Sequence, residues 1–256
     1  MKKNKRLDKI IEILKISKIS NVQNLSQRLE VSHMTVRRDI AELIKHNSVL
    51  VLHGSVFLNQ EAEIKEKPYS LENEESVHIE EKKKIGIAAA SFIEPDDTLI
   101  IDYGSTAEYF TRNIPDNIPL TILSYSLNVI TDLVRRDNCK LIFSGGEFHK
   151  STLSFESPEG LEMIKSFRAN KAFITAAGID HQFGVTCSNY YERPTKKALL
   201  QSSQKKILLV DSSKFGQISS VYFAELNDFD EIITDSGIPD KYQEIIKNLG
   251  IKLTIA

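Results

Sequence analysis

Small polar and charged residues recur in this 256-residue chain directly after short runs of β-forming residues. The run Gly104-Ser105-Thr106 is the most informative. Glycine permits a tight turn and close approach of a ligand to the backbone. Ser and Thr supply hydroxyl groups, and a helix beginning here adds free N–H groups and a partial positive charge. These features favour a phosphate group, although a strand-to-helix turn capped by Thr106 needs the same residues. Other residues at such positions, predicted to bind the same ligand, are Asp102, Ser124, Gly145, Gly146, Glu147, Asp211 and Lys214.

A second group lies at the start of a predicted helix that reads Met34-Thr35-Val36-Arg37-Arg38. Arginine can bind guanine O6 and N7 with two hydrogen bonds, and threonine can contact a thymine methyl group. The alternative is that both arginines only solvate a helix face. The residues predicted to contact DNA are Ser32, His33, Thr35, Arg37, Arg38 and, at the turn of a following hairpin, His53.

Three short helices and a hairpin are predicted over residues 1–58. Asn21 and Ser32 can cap the second and third helices. The apolar faces are formed by Leu7, Ile10, Ile11 and Leu14, by Val22, Leu25 and Leu29, and by Val36, Ile40, Leu43 and Ile44. Two apolar runs then meet at His53-Gly54, which predicts a β-hairpin. Together these elements form a winged helix-turn-helix, a fold in which the start of the second helix of the pair reads base edges.

Strands alternate with helices from residue 98 onward. The predicted strands are Thr98–Asp102, Leu120–Leu123, Lys140–Phe143, Lys171–Thr175, Lys205–Val210, Glu231–Asp235 and Lys252–Ile255. This alternation predicts an α/β domain with a mainly parallel sheet. Ligands of such sheets bind beyond the carboxyl ends of the strands, where the polar residues named above occur.

The connection between the two parts is polar and contains Pro68. We therefore predict a DNA-binding domain over residues 1–58, a linker over 59–71, and an effector-binding domain over 72–256. The last of these begins with a helix over 72–92, which Pro95 ends.

Charge is distributed unevenly. Residues 1–58 hold 11 Lys and Arg against 5 Asp and Glu, a net charge of +6, whereas the remainder holds 22 against 30, a net charge of −8. The two parts therefore face different partners. Composition excludes collagen-like and wholly disordered chains. The absence of a signal peptide pattern and the two isolated cysteines predict a reducing cytoplasm. No metal site, cofactor or membrane partner is predicted.

The sequence lacks the motifs of several enzyme classes. Neither G-x-G-x-x-G nor G-x-x-x-x-G-K-[ST] occurs, which argues against dinucleotide and NTP binding. A G-x-S-x-G nucleophile turn is also missing, so the sequence does not support an α/β-hydrolase. An isomerase would need a positioned acid and base, for which Asp102, Glu147 and Asp211 are candidates. We predict that the protein is not an enzyme and has no catalytic residues.

The segments Val31–Ile40 and His53–Val56 resemble the DNA-binding signature of the DeoR family of bacterial transcription regulators. The second part is similar to the sensor domain of that family, whose fold is similar to ribose-phosphate isomerase. The matching pieces are Asp102–Thr106, Gly145–Glu147, Ala172–Ile174, Gly178–Asp180, Gly184–Thr186, Glu192 with Lys196-Lys197, and Asp211–Phe215. The sequence departs from the family pattern at Ser55 and Asn47, and again at Ser124–Ser126.

The resemblance implies a repressor of carbohydrate-catabolism genes controlled by a phosphorylated sugar. It implies that the Gly104–Thr106 loop and Lys214 hold the phosphate, and that Asp102, Glu147 and Asp211 bind sugar hydroxyls or support local structure. A symmetric dimer or tetramer on double-stranded operator DNA is expected. Whether the effector weakens or strengthens DNA binding stays open. The alternatives are an isomerase-like enzyme with a nucleic-acid tether, and a DNA-binding protein whose second domain only oligomerises.

Overall fold

The computed structural model describes residues 3–17, 19–29, 31–45, 49–52, 55–58 and 70–256. The chain divides into two compact units, Met1–Pro68 and Tyr69–Ala256, here called the N-terminal unit and the C-terminal unit. His53, predicted to contact DNA, and residues 59–69 of the predicted linker lie outside the described residues.

Three helices and three short strands form the described part of the N-terminal unit. They are α1 (Lys3–Ser17), β1 (Ile19–Asn21), α2 (Val22–Leu29), α3 (His33–Lys45), β2 (Val49–Leu52) and β3 (Ser55–Leu58). Strands β2 and β3 pair antiparallel, with Val51 opposite Val56, and β1 pairs with the other side of β3. The predicted winged helix-turn-helix is therefore present, with the wing strands on either side of residues 53–54.

Apolar side chains from α1, α2 and α3 meet in one core, where Ile10, Leu14, Leu25 and Val36 are fully buried. The predicted helix starts are confirmed: the Asn24 backbone N–H donates to Asn21 Oδ1 at 2.8 Å, and that of Thr35 donates to Ser32 Oγ at 3.3 Å.

One predicted core residue of α3 is wrong. Ile44 was placed on the apolar face but is 44% exposed. It lies about 100° around the helix from Leu43, so it falls at the edge of the stripe that faces the core.

The C-terminal unit contains seven helices and the remaining strands, all within the described range 70–256. The helices are α4 (Leu71–Glu75), α5 (Ile79–Ala90), α6 (Ser105–Arg112), α7 (Leu127–Leu133), α8 (Pro158–Ser166), α9 (Glu192–Gln201) and α10 (Asp240–Asn248). The strands are β4 (Thr98–Ile101), β5 (Leu120–Ser124), β6 (Cys139–Phe143), β7 (Glu147–His149), β8 (Ser154–Glu156), β9 (Ala169–Thr175), β10 (Gly178–Asp180), β11 (Gly184–Cys187), β12 (Ser203–Leu209), β13 (Val221–Ala224), β14 (Glu231–Thr234) and β15 (Lys252–Ile255).

A seven-stranded parallel sheet organises this unit, with the strand order β15-β14-β12-β9-β4-β5-β6. Successive residues of a strand point to opposite faces, and both faces are covered. Ile100 and Leu208 belong to one core, whereas Leu99, Ile101 and Ile207 belong to the other. The predicted α/β class with a mainly parallel sheet is confirmed, and all seven predicted strands are present.

The start of the C-terminal unit differs from its prediction. The helix expected over 72–92 is two helices, α4 and α5, which are separated at Ser76–His78. His78 adopts the left-handed conformation, with φ 53° and ψ 41°, which interrupts the helix because a non-glycine residue rarely continues one there. Leu71, which was assigned to the linker, begins α4 and is fully buried.

The C-terminal unit also contains two smaller antiparallel sheets. Strands β10, β11 and β13 form a three-stranded sheet, and β7 pairs with β8 in a hairpin. Among the described residues, no helix has the length and apolar character required to cross a membrane.

Candidate functional site

A cavity that opens to solvent lies at the carboxyl ends of β4, β9 and β12, and its empty volume of about 390 Å³ includes part of that solvent. Strands β5 and β6 follow β4 on one side of it, whereas β9, β12 and β14 lie on the other side. The strand order therefore reverses between β4 and β9: successive strands are added on one side of β4 and then, from β9 onward, on the other. Ligands of open α/β sheets usually bind at this point. The lining residues are Glu74, Lys82, Tyr103, Gly104, Ser105, Thr106, Thr175, Ala176, Ala177, Leu209, Val210, Asp211 and Lys214.

The predicted Gly104–Thr106 loop forms one wall of this cavity. Gly104 has φ 139°, a backbone conformation that favours glycine, and a Cβ atom there would be in tight contact with the Thr175 side chain, at 3.1 Å. Helix α6 begins at Ser105. Its first turn therefore directs backbone N–H groups and the positive end of the helix dipole to the cavity, an arrangement that suits an anion.

Asp211 and Lys214 follow β12 and line the opposite side. Asp211 is 1% exposed, and its Oδ1 accepts the backbone N–H of Ser213 at 3.1 Å. Its Oδ2 is buried and has no hydrogen-bond partner among the described residues. Buried polar atoms are ordinarily paired, so Oδ2 is available to a hydroxyl or amine of a ligand.

Lys82 was missed by the sequence analysis. Its side chain is 1% exposed, and Nζ donates to the carbonyl oxygens of Glu74 at 2.5 Å and Val77 at 2.8 Å. Burial lowers the pKa of Lys82, while the negative charges of Asp211 and Glu74 act in the opposite direction. A signal was present in the sequence, because Lys82 lies three and seven residues before Ile85 and Ala89, on the apolar side of α5.

Asp102 lies beneath the loop and does not line the cavity. It is fully buried, and its carboxylate accepts Lys196 Nζ at 2.6 Å and the backbone N–H groups of Tyr103 and Thr175 at 2.9 Å each, together with the Tyr125 hydroxyl. The prediction of a ligand contact is not supported by this placement. Asp102 instead holds the loop in position.

The pair of Asp102 and Lys196 belongs to a buried network. Burial alone would lower the pKa of Lys196, but the charges of Asp102 and Glu192 reverse that effect, and the pKa is raised. Burial and the neighbouring Asp102 charge raise the pKa of Tyr125 well above its usual value. Tyr103, which lines the cavity, donates its hydroxyl to Glu192. The network therefore joins the cavity wall to α9.

Four other predicted ligand residues lie away from the cavity lining. Ser124 is fully buried and donates its hydroxyl to the Ile101 carbonyl at 2.9 Å. Gly145, Gly146 and Glu147 lead into the β7–β8 hairpin, where Glu147 is exposed. Gly146 has φ 122°, and a Cβ atom there would lie 2.2 Å from the Glu156 carbonyl oxygen. These glycines thus serve a tight turn, which explains their occurrence without a ligand.

Of the predicted DNA-contacting residues, His33, Thr35, Arg37 and Arg38 lie in the first turns of α3, and Ser32 directly precedes it. Ser32, His33, Arg37 and Arg38 are exposed, and Thr35 is half-buried. Ser32 Oγ lies 2.9 Å from Thr35 Oγ1, so these two hydroxyls also contact each other. Arg37 and Arg38 therefore face solvent from the part of the helix that contacts base edges in helix-turn-helix proteins.

Asp39, next to Arg38, has a different role. It is 1% exposed and accepts Arg6 Nε at 2.5 Å and Arg6 Nη2 at 2.9 Å. This ion pair ties α1 to α3 and thereby orients the helix that presents the arginines. Among the described residues, no cluster of three or more His, Cys, Asp or Glu side chains is arranged to hold a metal ion.

Two family models match the chain. The DeoR-like helix-turn-helix domain matches residues 6–62, and the DeoR C terminal sensor domain matches residues 77–236. This chain belongs to the DeoR family. The resemblance inferred from the residues is therefore confirmed, and so is the function class of transcriptional regulator that it implies.

Curated relatives of this DeoR-family chain match it over nearly their whole lengths. The deoxyribose operon repressor of Escherichia coli (strain K12) is 32% identical over 252 residues, which cover 98% of each chain. The glycerol-3-phosphate regulon repressor of the same organism is 28% identical over 255 residues, which cover 100% of each. Among solved structures, ribose 5-phosphate isomerase A from Neisseria gonorrhoeae aligns with a TM-score of 0.38 and 16% identity, over 54% of this chain and 53% of that one, a similarity too low to carry an argument.

Proposed function

We propose that this DeoR-family protein is a transcriptional repressor of carbohydrate-catabolism genes and that a phosphorylated sugar controls its affinity for operator DNA. The observation that carries the proposal is the cavity at the strand ends. The first turn of α6 and the ammonium groups of Lys82 and Lys214 supply positive charge there. Asp211 Oδ2, which accepts no hydrogen bond from the described part of the chain, supplies an acceptor. Positive charge for a phosphate beside an acceptor for a hydroxyl matches the chemistry of a sugar phosphate.

The DNA-binding part of the proposal rests on α3. Its exposed Arg37 and Arg38 are placed where recognition helices contact base edges, and His53 is proposed to contact DNA from the turn of the wing. Symmetric dimers or tetramers, located in the cytoplasm, would match repeated half-sites.

A regulatory rather than catalytic role is supported by the carboxylates. An isomerase needs an acid and a base that reach the same substrate. Of the three carboxylates considered for this chemistry, Asp102 is fully buried and bound to Lys196, and Glu147 is exposed on a hairpin outside the cavity. Asp211 alone of the three lines the cavity, and the other carboxylate there, that of Glu74, is paired with Lys214 Nζ at 2.7 Å. We therefore propose that the C-terminal unit binds its ligand without turning it over.

The test is a thermal-shift screen of pentose, hexose, triose and amino-sugar phosphates on the full-length protein. A ligand at 100 times its Kd stabilises the folded protein by about 2.7 kcal/mol. Thr106→Ala and Lys214→Ala should lose this stabilisation, because they remove a hydroxyl and a charge from the cavity. Lys247→Ala, which removes an exposed charge from α10, is the matched control and should respond as the unaltered protein does.

The ligand found in the screen is then added to the protein bound to a duplex selected from a random library. A changed DNA affinity supports the proposal, and its sign shows whether the ligand releases or strengthens binding. If both cavity variants keep the response, the proposed site is wrong. Turnover of any sugar phosphate by the purified protein would overturn the non-catalytic role.

A further inference from the structure

The cavity already contains a carboxylate. Glu74, in α4, places Oε2 at 2.7 Å from Lys214 Nζ. The two side chains are 30% and 18% exposed, so the pair is partly withdrawn from solvent. The residues are 140 positions apart in the sequence. This contact occupies the ammonium group that the proposed function assigns to the phosphate.

The charges around the cavity balance before any ligand enters. Among the described residues that line it, Lys82 and Lys214 carry positive charge, whereas Glu74 and Asp211 carry negative charge. A phosphorylated ligand would bring about two more negative charges into a site whose cations are already paired. Like charges at short range in a partly buried site repel strongly. An anion therefore binds more favourably once the Glu74 carboxylate has moved away.

Three contacts of described residues hold helix α4 to the rest of the C-terminal unit besides the Glu74–Lys214 pair. Leu71 is buried, its backbone N–H donates to the Ser151 carbonyl at 2.8 Å, and Lys82 holds the Glu74 carbonyl. A short connection follows, in which His78 has a positive φ. Residues that hold such a conformation store strain of about 1 to 3 kcal/mol. The helix is thus a short segment, held partly by the ion pair and followed by a strained turn.

We propose that Glu74 is an internal competitor for the anion site: its carboxylate holds Lys214 until a phosphate replaces it, and the replacement releases α4. In the sequence, α4 is joined to β3 of the DNA-binding wing by residues 59–70. Release of α4 therefore frees the first helix of the C-terminal unit, the one nearest in sequence to the DNA-binding unit. This inference rests on the proposed function, because it requires an anion to bind beside Lys214.

The first experiment measures the affinity of the full-length protein for inorganic phosphate by calorimetry, at constant ionic strength set with NaCl. Glu74→Gln keeps the size of the side chain and removes its charge, so phosphate should bind about tenfold more tightly than to the unaltered protein. Glu80→Gln is the matched control, because it removes the same charge from an exposed pair with Lys83 on α5. The control should bind phosphate with unchanged affinity.

The second experiment follows amide hydrogen exchange with and without phosphate. Ligands usually slow exchange near their sites. Competition predicts opposite changes in two segments: residues 70–77 exchange faster when phosphate is added, while residues 104–107 exchange more slowly. In Glu74→Gln, residues 70–77 should exchange faster even without phosphate, because the ion pair that holds α4 is missing.

The outcomes separate this inference from the function on which it rests. Phosphate binding that is lost in Lys214→Ala but equal in Glu74→Gln and the unaltered protein overturns the competition and leaves the anion site intact. Slower exchange of residues 70–77 on adding phosphate overturns the release of α4. If phosphate binds neither the unaltered protein nor Glu74→Gln, the proposed anion site fails together with the inference.

Discussion

Candidate functional residues are easier to distinguish from residues that support the fold in the N-terminal unit than in the C-terminal unit. In α3, two adjacent residues have different roles: Arg38 is exposed, whereas Asp39 is buried and paired with Arg6. Side chains on the solvent side of a helix are free to contact DNA because the core needs only the opposite face. In α3, exposure therefore distinguishes the candidate DNA-contacting arginines from Asp39, which supports the fold.

In the C-terminal unit, burial does not show which residues at the strand ends support the fold and which can bind a ligand. Asp102 and Asp211 both follow a strand of the parallel sheet, and both are buried. The first has its carboxylate bound by Lys196 and two backbone N–H groups, whereas the second has an oxygen without a partner among the described residues. Burial is the same for both, so the number of satisfied hydrogen bonds distinguishes a residue that supports the loop from one that can bind a ligand.

The largest expected effect tests whether the Asp102 network belongs to the fold. Lys196→Met removes one partner of a buried pair whose side chains are 1% and 0% exposed. Leaving the other charge buried without its partner costs about 3–5 kcal/mol. We expect this loss in the free energy of unfolding of the C-terminal unit, measured by urea denaturation.

Lys197→Met is the control for this substitution, because Lys197 is half-buried on the same helix. It should change the free energy of unfolding by less than about 1 kcal/mol. A Lys196→Met protein of normal stability that no longer responds to the effector would show that the network belongs to the site, and the comparison between Asp102 and Asp211 would fail.

A smaller effect is expected from the exposed side of α3. Arg38→Ala should weaken binding to a selected duplex by about 1–3 kcal/mol and relax its sequence preference, with little change in stability because the side chain is exposed. Fluorescence anisotropy on the selected and a random duplex measures both. Arg28→Ala removes the same charge from the last turn of α2 and should retain the sequence preference. Equal losses on both duplexes would remove Arg38 from base readout.

Much of the architecture could be predicted because it depends on local patterns. The helices of the N-terminal unit are indicated by the spacing of apolar residues within each helix, such as Ile10 and Leu14 in α1. The caps at Asn21 and Ser32 mark where α2 and α3 begin. In the same way, short runs of β-forming residues that alternate with helical stretches mark all seven strands of the parallel sheet. Such signals are contained within a few neighbouring residues, so they survive without knowledge of the tertiary structure.

The candidate site was predicted less completely, because its contacts span the chain. The Gly104–Thr106 loop, Asp211 and Lys214 were identified from strand ends, but Glu74 lies 140 residues from the lysine it holds. Lys82 was overlooked because residues 80–84 are all charged, so nothing but its spacing from Ile85 and Ala89 distinguishes this lysine from its neighbours. Glu147 was included because a strand end cannot be distinguished by sequence from a hairpin turn.

A third prediction concerns the amino ends of the parallel strands, on the side of the sheet opposite to the cavity. Glu231, at the amino end of β14, is fully buried, and its carboxylate accepts hydrogen bonds from Lys205 Nζ at 2.8 Å and Thr254 Oγ1 at 2.7 Å. Burial alone would raise the pKa of Glu231, but these hydrogen bonds and the lysine charges outweigh it, and the pKa is lowered from 4.5. Glu231→Gln should reduce stability by about 1.5 kcal/mol at neutral pH.

The pH dependence of this difference follows from the direction of the shift. A carboxylate with a lowered pKa in the folded state contributes stability above its unfolded pKa and loses it as the pH falls through the folded value. The difference between Glu231→Gln and the unaltered protein should be constant above about pH 5.5 and shrink below the unfolded pKa of 4.5. A difference that persists unchanged into acid would assign the loss to packing rather than charge.

The smallest effect is expected at Glu147, a predicted ligand residue that the structure places on the exposed β7–β8 hairpin. Because its side chain is exposed and the residue does not line the cavity, Glu147→Ala should change the free energy of unfolding by less than about 0.5 kcal/mol and leave the effector's apparent Kd unchanged. Asp211→Asn is the comparison, since it should weaken effector binding. A loss of effector response in Glu147→Ala would mean that the hairpin reaches the ligand, and exposure would then mark function in the C-terminal unit as it does in α3.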